Sequence, residues 1–327
     1  MLFIIALKLK IIFERKIIME IKKIGKVGMI LALAVSLVAC GGNKKEEAAA
    51  NAPKENAAKQ EEAGSNAADL GTINVISREQ GSGTRSAFTE LTGVLTKDGD
   101  KEVDNTYAEA AVQSSTDAVL TTVENDKASI GYISLGSLNE TVKAVKVEGV
   151  EATPENIKSG DYKLARPFNV AYKADLDAKA KDLITFIMSD EGQKICEEEG
   201  YVGDARGAAY EATDNDAHIT IAGSTSVSPL MEKLAEAYKA KNPKVQIDIQ
   251  SNGSSAGMTA AMEGTAQLGM ASRELKDEEK KALEFTVIAR DGIAVIVNNE
   301  NGCENLTMDQ LKQIFTGELT DWAEASK

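Results

Sequence analysis

One local pattern recurs along the chain and constrains its fold more than any other feature: a short apolar strand, a loop of small hydroxyl residues, and a helix. Residues 72–76 precede such a loop at 77–85, and residues 219–222 precede another at 223–229, ahead of a helix predicted over 230–241. Loops of this kind leave backbone N–H groups unpaired at a helix N-terminus, where the helix dipole attracts an anion. The alternation of strands and helices predicts an α/β fold.

The loop at 77–85 carries groups suited to an oxyanion. Its sequence is Ser-Arg-Glu-Gln-Gly-Ser-Gly-Thr-Arg. Ser82 and Thr84 offer hydroxyl donors, and Arg78 offers a planar fork of N–H groups. The alternative interpretation is an ordinary capped turn.

The pattern also divides the chain into two similar halves. Ser114-Ser115, a helix and the strand 130–134 in one half correspond to Ser254-Ser255, a helix and the strand 268–272 in the other. Two such halves predict a two-lobed clamp with a ligand cleft between the lobes. Alternatively, Ser/Gly loops accompany any alternation of strands and helices, because such loops cap helices.

Charge and composition exclude several functions. The formal charge of −14 over 327 residues argues against nucleic acid or an anionic membrane surface as a partner. A single histidine, His218, makes a Ser–His nucleophile improbable. Residues 81–83 do not form a nucleophile elbow, and no loop has the Gly-Lys-Ser/Thr ending of a P-loop. We therefore predict a protein that is not an enzyme and that needs no metal or cofactor.

The N-terminus is predicted to be a targeting segment. A basic stretch and the apolar run 27–39 end in small residues before Cys40, which resembles the lipobox of bacterial lipoproteins. We predict a signal peptide over 1–39, with Met19 as an alternative start, and lipidation of Cys40; a plain secretory signal is the alternative. The polar stretch 40–70 is predicted to be a disordered tether, so that the protein is extracytoplasmic and anchored to the cell membrane.

Three further expectations concern the body of the chain. The apolar periodicity predicts one long amphipathic helix over 175–199. Alternating valines predict a strand pair over 142–150. Cys196 and Cys303 either pair or stay free, because spacing alone does not decide between these states.

Several segments together are specific enough to indicate a family. They are Ser77–Thr84, 223–230, 253–257, 271–275, 291–298 and 314–322. The chain resembles the phosphate-binding proteins of ABC phosphate importers, the PstS family. This resemblance implies a type II periplasmic-binding-protein-like fold, capture of inorganic phosphate and delivery to ABC permease subunits in the membrane, and a protein we expect to be monomeric. The alternatives are a receptor for sulfate, molybdate or tungstate, or a surface or adhesion module on the same fold.

The resemblance also implies the ligand contacts. They would fall on Thr225, Ser226 and Ser254 of the first lobe and on Arg78, Ser82, Gly83 and Thr84 of the second, with Ser272 and Arg273 as possible additional contacts. In some family members an aspartate at this place accepts the proton of hydrogen phosphate. Here the residue is Arg273, so the resemblance leaves the choice between phosphate and the other oxyanions open. Arg273 could instead pair with an acid at the rim of the cleft.

The order of the segments departs from the family. Here the loop at 77–85 opens the domain and the segment ending at Trp322 closes it, which indicates a circular permutation cut between Trp322 and Thr72. A truncated tandem protein or an assembly artefact is the competing explanation. We predict lobe I over 166–301 and lobe II over 71–165 plus 302–327. The chain is expected to cross between the lobes near Arg166-Pro167 and again near 299–303, where hinge bending would close the cleft.

Overall fold

The computed structural model describes residues 66–99, 101–204 and 207–325. The predicted signal peptide, Cys40 and the tether up to residue 65 lie outside these residues. The strands, in chain order, are β1 Asn74–Arg78, β2 Leu95–Asp98, β3 Lys101–Asp104, β4 Ala111–Gln113, β5 Ser129–Ser134, β6 Val142–Ala144, β7 Lys146–Val147, β8 Ala165–Tyr172, β9 Val202–Gly203, β10 His218–Gly223, β11 Gln246–Ser251, β12 Leu268–Ala271, β13 Glu284–Asn298 and β14 Asn305–Leu306.

Helices follow the strands at each end of the sheet. The α-helices are α1 Gly83–Thr92, α2 Thr116–Glu124, α3 Pro154–Ser159, α4 Ala178–Ile187, α5 Asp190–Glu198, α6 Ser228–Lys241, α7 Ser254–Glu263, α8 Asp277–Ala282, α9 Met308–Thr316 and α10 Trp322–Ala325. Short 3-10 turns occupy Ala67–Leu70 and Leu135–Ser137. None of the helices within the described ranges is both long and apolar enough to cross a membrane.

The main sheet is one hydrogen-bonded path with two parallel ends and an antiparallel middle. Its order is β11-β10-β12-β8-β13-β5-β1-β4. At one end β10 pairs in parallel with β11 and β12, and at the other β1 pairs in parallel with β4 and β5. The antiparallel strands β8 and β13 join the two ends.

Separate hydrophobic cores surround the two ends of the sheet. One contains Phe168, Leu183, Leu234 and their neighbours, and the other contains Phe88, Phe315, Trp322 and theirs. The inner strands β5 and β12 are buried along their whole length, as expected for parallel strands covered by helices, whereas the edge strands β4 and β11 are largely exposed. We call the half around the first core lobe I and the half around the second lobe II.

The second crossing between the lobes differs from the prediction. Residues 284–292 of β13 pair with β8, whereas Ile293 to Val297 pair with β5 in lobe II. Ile293, Val295 and Val297 belong to the lobe II core, and Ala294 and Ile296 pack on the opposite face of the same sheet. The predicted crossing near 299–303 is therefore wrong, because this apolar run is already buried in lobe II. Lobe I ends near residue 291.

Two local expectations are also corrected. The helix predicted over 175–199 is two helices, because the Ser189 hydroxyl caps α5 by accepting the Gly192 N–H at 3.2 Å. Gly192 packs on the preceding helix so closely that a Cβ there would lie 2.3 Å from the Phe186 carbonyl oxygen. The strands β6 and β7 do not pair with each other: β6 pairs with β13 and β7 with β14.

The segments near residues 71 and 322 lie side by side. Ile73 N–H donates to the Thr320 carbonyl at 2.8 Å, and Trp322 N–H donates to the Gly71 carbonyl at 2.9 Å. The Trp322 indole is buried and donates to the Ala128 carbonyl at 2.8 Å. The chain therefore closes on itself at the point where the predicted permutation places its cut.

The two cysteines within the described residues do not pair with each other. Cys196 is buried in the lobe I core and Cys303 in the lobe II core, and both are free thiols. Burial raises the pKa of Cys196 to about 12 and that of Cys303 to about 11, so neither is a reactive thiolate near neutral pH.

Candidate functional site

Arg78 is the last residue of β1 and is buried at the boundary between the lobes. Its Nε and Nη2 donate to the Glu79 carboxylate at 2.8 and 2.9 Å, and its Nε also lies 3.2 Å from the Gln113 carbonyl. Nη2 reaches across to the Thr225 hydroxyl of lobe I at 3.1 Å. Only 2% of the Arg78 side chain is exposed, so a ligand beside it would meet a poorly screened guanidinium.

Hydroxyl groups from the two lobes meet directly beside Arg78. The Thr84 and Ser226 hydroxyls are 2.8 Å apart, and the Thr116 hydroxyl lies 3.3 Å from that of Ser226. The backbone also joins the lobes here, since Ser255 N–H donates to the Gly81 carbonyl at 3.1 Å. These contacts define a closed arrangement of the two lobes.

A cluster of buried serines forms the lobe I side of this interface. The Ser224 hydroxyl donates to that of Ser272 at 2.9 Å, and Ser272 N–H donates to the Ser254 hydroxyl at 3.2 Å. We call Ser224, Ser254 and Ser272 the serine cluster. Gly83 packs against it, and a Cβ on Gly83 would lie 2.3 Å from the Ser254 Oγ and 2.6 Å from the Ser272 Oγ. Close approach of the lobes therefore depends on a glycine at 83.

The helices that begin at the interface differ in how their N-termini are capped. Ser82 caps α1 by accepting the Arg85 N–H, and Ser115 caps α2 by accepting the Ala118 N–H. The helices α6 and α7 of lobe I, preceded by Val227 and Gly253, have no side-chain cap. Their dipoles point at the interface, and uncapped helix N-termini are suited to an anion. The interface therefore brings together hydroxyls, amides and one guanidinium, groups that are chemically suited to a small anion.

The Arg273 side chain is engaged within lobe I rather than at the interface between the lobes. Its guanidinium makes a bidentate pair with Glu279 at 2.8 and 2.7 Å, and both side chains are 5% exposed. Burial alone would raise the pKa of Glu279, but the hydrogen bonds from Arg273 and the Lys276 N–H hold that pKa below its usual value. Arg273 thus matches the alternative in which it pairs with an acid.

Sequence reasoning missed several groups at this interface. Thr116 begins α2 and touches both Thr225 and Ser226, although only the preceding serines had been singled out. Its position at the start of a helix, after a strand and a serine pair, was the available signal. The buried pair of Arg166 and Asp291 below the serine cluster carried no such local signal.

The fold and the site define a two-lobed binding protein. A family model described as a PBP superfamily domain matches residues 20–191 and 208–327, and the chain belongs to this superfamily.

Comparison with individual proteins narrows the assignment. The chain is 46% identical over 306 residues to phosphate-binding protein PstS 2 of Streptococcus pneumoniae TIGR4, covering 93% of this chain and 99% of that protein. It is 49% identical over 267 residues to PstS 2 of Streptococcus agalactiae serotype V, covering 80% and 91%. A crystal structure of a phosphate-binding protein of a phosphate ABC transporter from S. pneumoniae TIGR4 superposes with a TM-score of 0.65 at 50% identity, covering 78% of this chain and all of that one. Within the superfamily, the chain belongs to the family of PstS phosphate-binding proteins.

Proposed function

We propose that this protein captures inorganic phosphate between its lobes and delivers it to the permease of an ABC transporter. The observation that carries the proposal is the pair of contacts from Arg78 to Thr225 and from Thr84 to Ser226, which join the predicted ligand residues of both lobes. The names and the extent of the matching relatives support phosphate as the anion.

The proposed contacts suit a phosphate dianion in an acidic protein. Thr225, Ser226 and Ser254 would contact it from lobe I, and Arg78, Ser82, Gly83 and Thr84 from lobe II. A desolvated anion is stable only where hydrogen-bond donors replace its hydration shell, and charge-assisted bonds contribute most. Local donors of this kind need no excess of positive charge over the whole molecule, in keeping with the net charge of −14.

Titration calorimetry against phosphate, sulfate, molybdate and tungstate tests the proposal. We expect saturable binding of one phosphate per protein with micromolar or tighter affinity. Because the Arg273 side chain is buried in an ion pair with Glu279, we propose that it does not contact the anion. A preference for one of the other three anions would contradict phosphate as the ligand, and no binding of any of them would contradict the receptor function.

We also propose that the protein acts outside the cytoplasm as a monomer, anchored through a lipid on Cys40. The apolar run and small residues before Cys40 support this anchor. Membrane fractionation of a Cys40→Ala variant tests it: release of the variant into the soluble fraction is expected, and retention in the membrane contradicts the anchor.

We further propose that the segment order is a true circular permutation. The alignment with PstS 2 of S. pneumoniae runs over 99% of that protein, so the order is shared with a relative, which argues against an assembly artefact. The hydrogen bonds between Gly71 and Trp322 support the predicted cut. A covalent link between residues 322 and 72, with new ends opened in the loop at 207–217, should leave phosphate affinity unchanged; loss of the fold would contradict the permutation.

A further inference from the structure

A buried ion pair lies where both connecting strands pass from one lobe to the other. Arg166 on β8 and Asp291 on β13 are directly opposite each other in the antiparallel ladder. Their side chains are 1% and 0% exposed, and the Arg166 guanidinium lies over the Phe168 ring at 5.4 Å.

The pair connects the serine cluster of lobe I to lobe II through consecutive hydrogen bonds. Arg166 Nε and Nη2 donate to Asp291 Oδ2 at 3.1 and 2.9 Å, while Nη1 donates to the Ser272 carbonyl at 3.1 Å. The other carboxylate oxygen, Asp291 Oδ1, accepts the Ser134 hydroxyl at 3.0 Å, at the end of β5 in lobe II. One guanidinium therefore holds groups on both sides of the crossing.

The energy of the pair does not by itself explain its presence. A buried ion pair loses so much hydration that apolar residues of similar volume often stabilise a protein as well or better. Burial raises the pKa of Asp291, and the attraction of Arg166 and the Ser134 hydroxyl oppose this rise. In several proteins, buried ionic or polar groups instead select one arrangement of the elements they join.

The packing between Gly83 of lobe II and Ser272 of lobe I leaves no room for an added side-chain atom on Gly83. Gly83 approaches Ser272 so closely that even a methyl group would collide with its hydroxyl, so the position of Ser272 bears directly on how the lobes meet. The Ser272 carbonyl, held by Arg166, and the Ser272 hydroxyl, held by Ser224, fix this residue from two directions.

We propose that Arg166 is a positioning residue for the anion site. Together with Asp291 it fixes Ser272 where β8 and β13 pass between the lobes, so that the lobe II loop at 77–85 closes on the serine cluster. Arg166 acts through Ser272 and does not touch the anion. This role rests on the proposed function, in which Ser254 of the serine cluster contacts the phosphate and Gly83 approaches it from lobe II.

An Arg166→Lys variant of the full chain separates positioning from charge. Lysine keeps a cation beside Asp291, but a single ammonium group cannot span Asp291 Oδ2 and the Ser272 carbonyl in the planar geometry of the fork. Arg290→Lys is the matched control, because Arg290 is the exposed neighbour of Asp291 on the same strand. Calorimetry with inorganic phosphate is done at 25 °C, where circular dichroism shows each variant fully folded, so that a loss of stability alone does not alter the measured affinity.

The expected result is about a tenfold weaker affinity for Arg166→Lys, as for loss of one charge-assisted hydrogen bond, and unchanged affinity for Arg290→Lys. Equal affinity in Arg166→Lys and wild type overturns the positioning role and leaves the proposed function intact. Absence of phosphate binding in the wild type overturns both.

Ser134→Ala decides the matter if Arg166→Lys does not fold. This smaller change removes the Ser134 hydrogen bond to Asp291 Oδ1, and we expect about a threefold loss of affinity. Unchanged phosphate affinity in that variant overturns the proposal.

Discussion

The tripeptide Ser-Arg-Glu occurs at residues 77–79 in lobe II and again at 272–274 in lobe I, each time at the carboxyl end of a strand. Both arginines are buried and both make bidentate pairs with a carboxylate. Arg78 pairs with the adjacent Glu79, which is 28% exposed, and still reaches Thr225 of the other lobe. Arg273 pairs instead with Glu279, and both members of that pair are 5% exposed.

The location of the acid, rather than the tripeptide, separates the two arginines. Glu79 lies beside Arg78 in the loop and leaves the guanidinium at the interface between the lobes. Glu279 lies in α8, where it also accepts the Lys276 N–H at 2.8 Å, so Arg273 is drawn into the packing of lobe I. The same three residues thus supply a proposed ligand contact in one lobe and a structural pair in the other.

The largest expected effect is on the stability of lobe I. Arg273→Ala leaves Glu279 buried without its partner, and we expect a loss of about 3–5 kcal/mol in the free energy of unfolding. Urea denaturation monitored by circular dichroism measures this loss. Phosphate affinity of the folded variant should stay within about twofold of wild type, and a much larger loss of affinity would place Arg273 in the site after all.

Arg78→Ala should weaken phosphate binding, whereas Arg273→Ala should mainly reduce stability. We expect a loss of about 2–4 kcal/mol in the binding free energy of phosphate, because a desolvated anion loses its only guanidinium among the proposed contacts. Calorimetry measures the loss, and Arg290→Ala, an exposed arginine on β13, is the control. Unchanged affinity in Arg78→Ala removes this residue from the site and ends the distinction between the two tripeptides.

Gly83→Ala tests whether the segment 77–85, which contains the first Ser-Arg-Glu tripeptide, must close on lobe I for phosphate to bind. The added methyl group collides with the Ser254 and Ser272 hydroxyls. Overpacking costs about 1–3 kcal/mol, and because this cost falls on the closed arrangement of the lobes, we expect phosphate binding to weaken by about that amount. The matched control is Glu90→Ala, on the exposed side of the same helix. If Gly83→Ala binds phosphate as wild type does, the close approach at Gly83 is not needed for binding.

The sequence predicts those parts of the two lobes that depend on short local patterns. A strand, a loop of glycine and hydroxyl residues and a helix are encoded within about fifteen residues, so the units around Arg78 and Thr225 follow from the chain itself. Thr84 and Ser226, more than a hundred residues apart in the chain, were assigned to one site through the family resemblance, and the structure brings them to 2.8 Å.

Contacts between residues that are far apart in the chain could not be predicted from the sequence. Arg166 and Asp291 are 125 residues apart, and no periodicity links them. The apolar run 293–297 fits any buried strand, so it does not reveal that β13 changes partner from β8 to β5. The helix break at Met188 and Ser189 is not evident from the sequence, because apolar residues continue on both sides of it. Each of these depends on which surfaces meet in three dimensions.

The smallest expected effect concerns the acid stability of lobe I and the carboxylate of Glu279. The pKa of Glu279 is lowered in the folded protein from the usual 4.5, so its ion pair contributes fully above pH 4.5. That contribution is lost as the pH falls through the folded-state pKa. Glu279→Gln removes this titration, and its stability should fall less steeply below pH 4.5 than that of wild type. Thermal unfolding between about pH 3 and pH 7 measures both curves across this range. Parallel curves for the two proteins would mean that the Arg273–Glu279 pair contributes nothing to the acid dependence of lobe I.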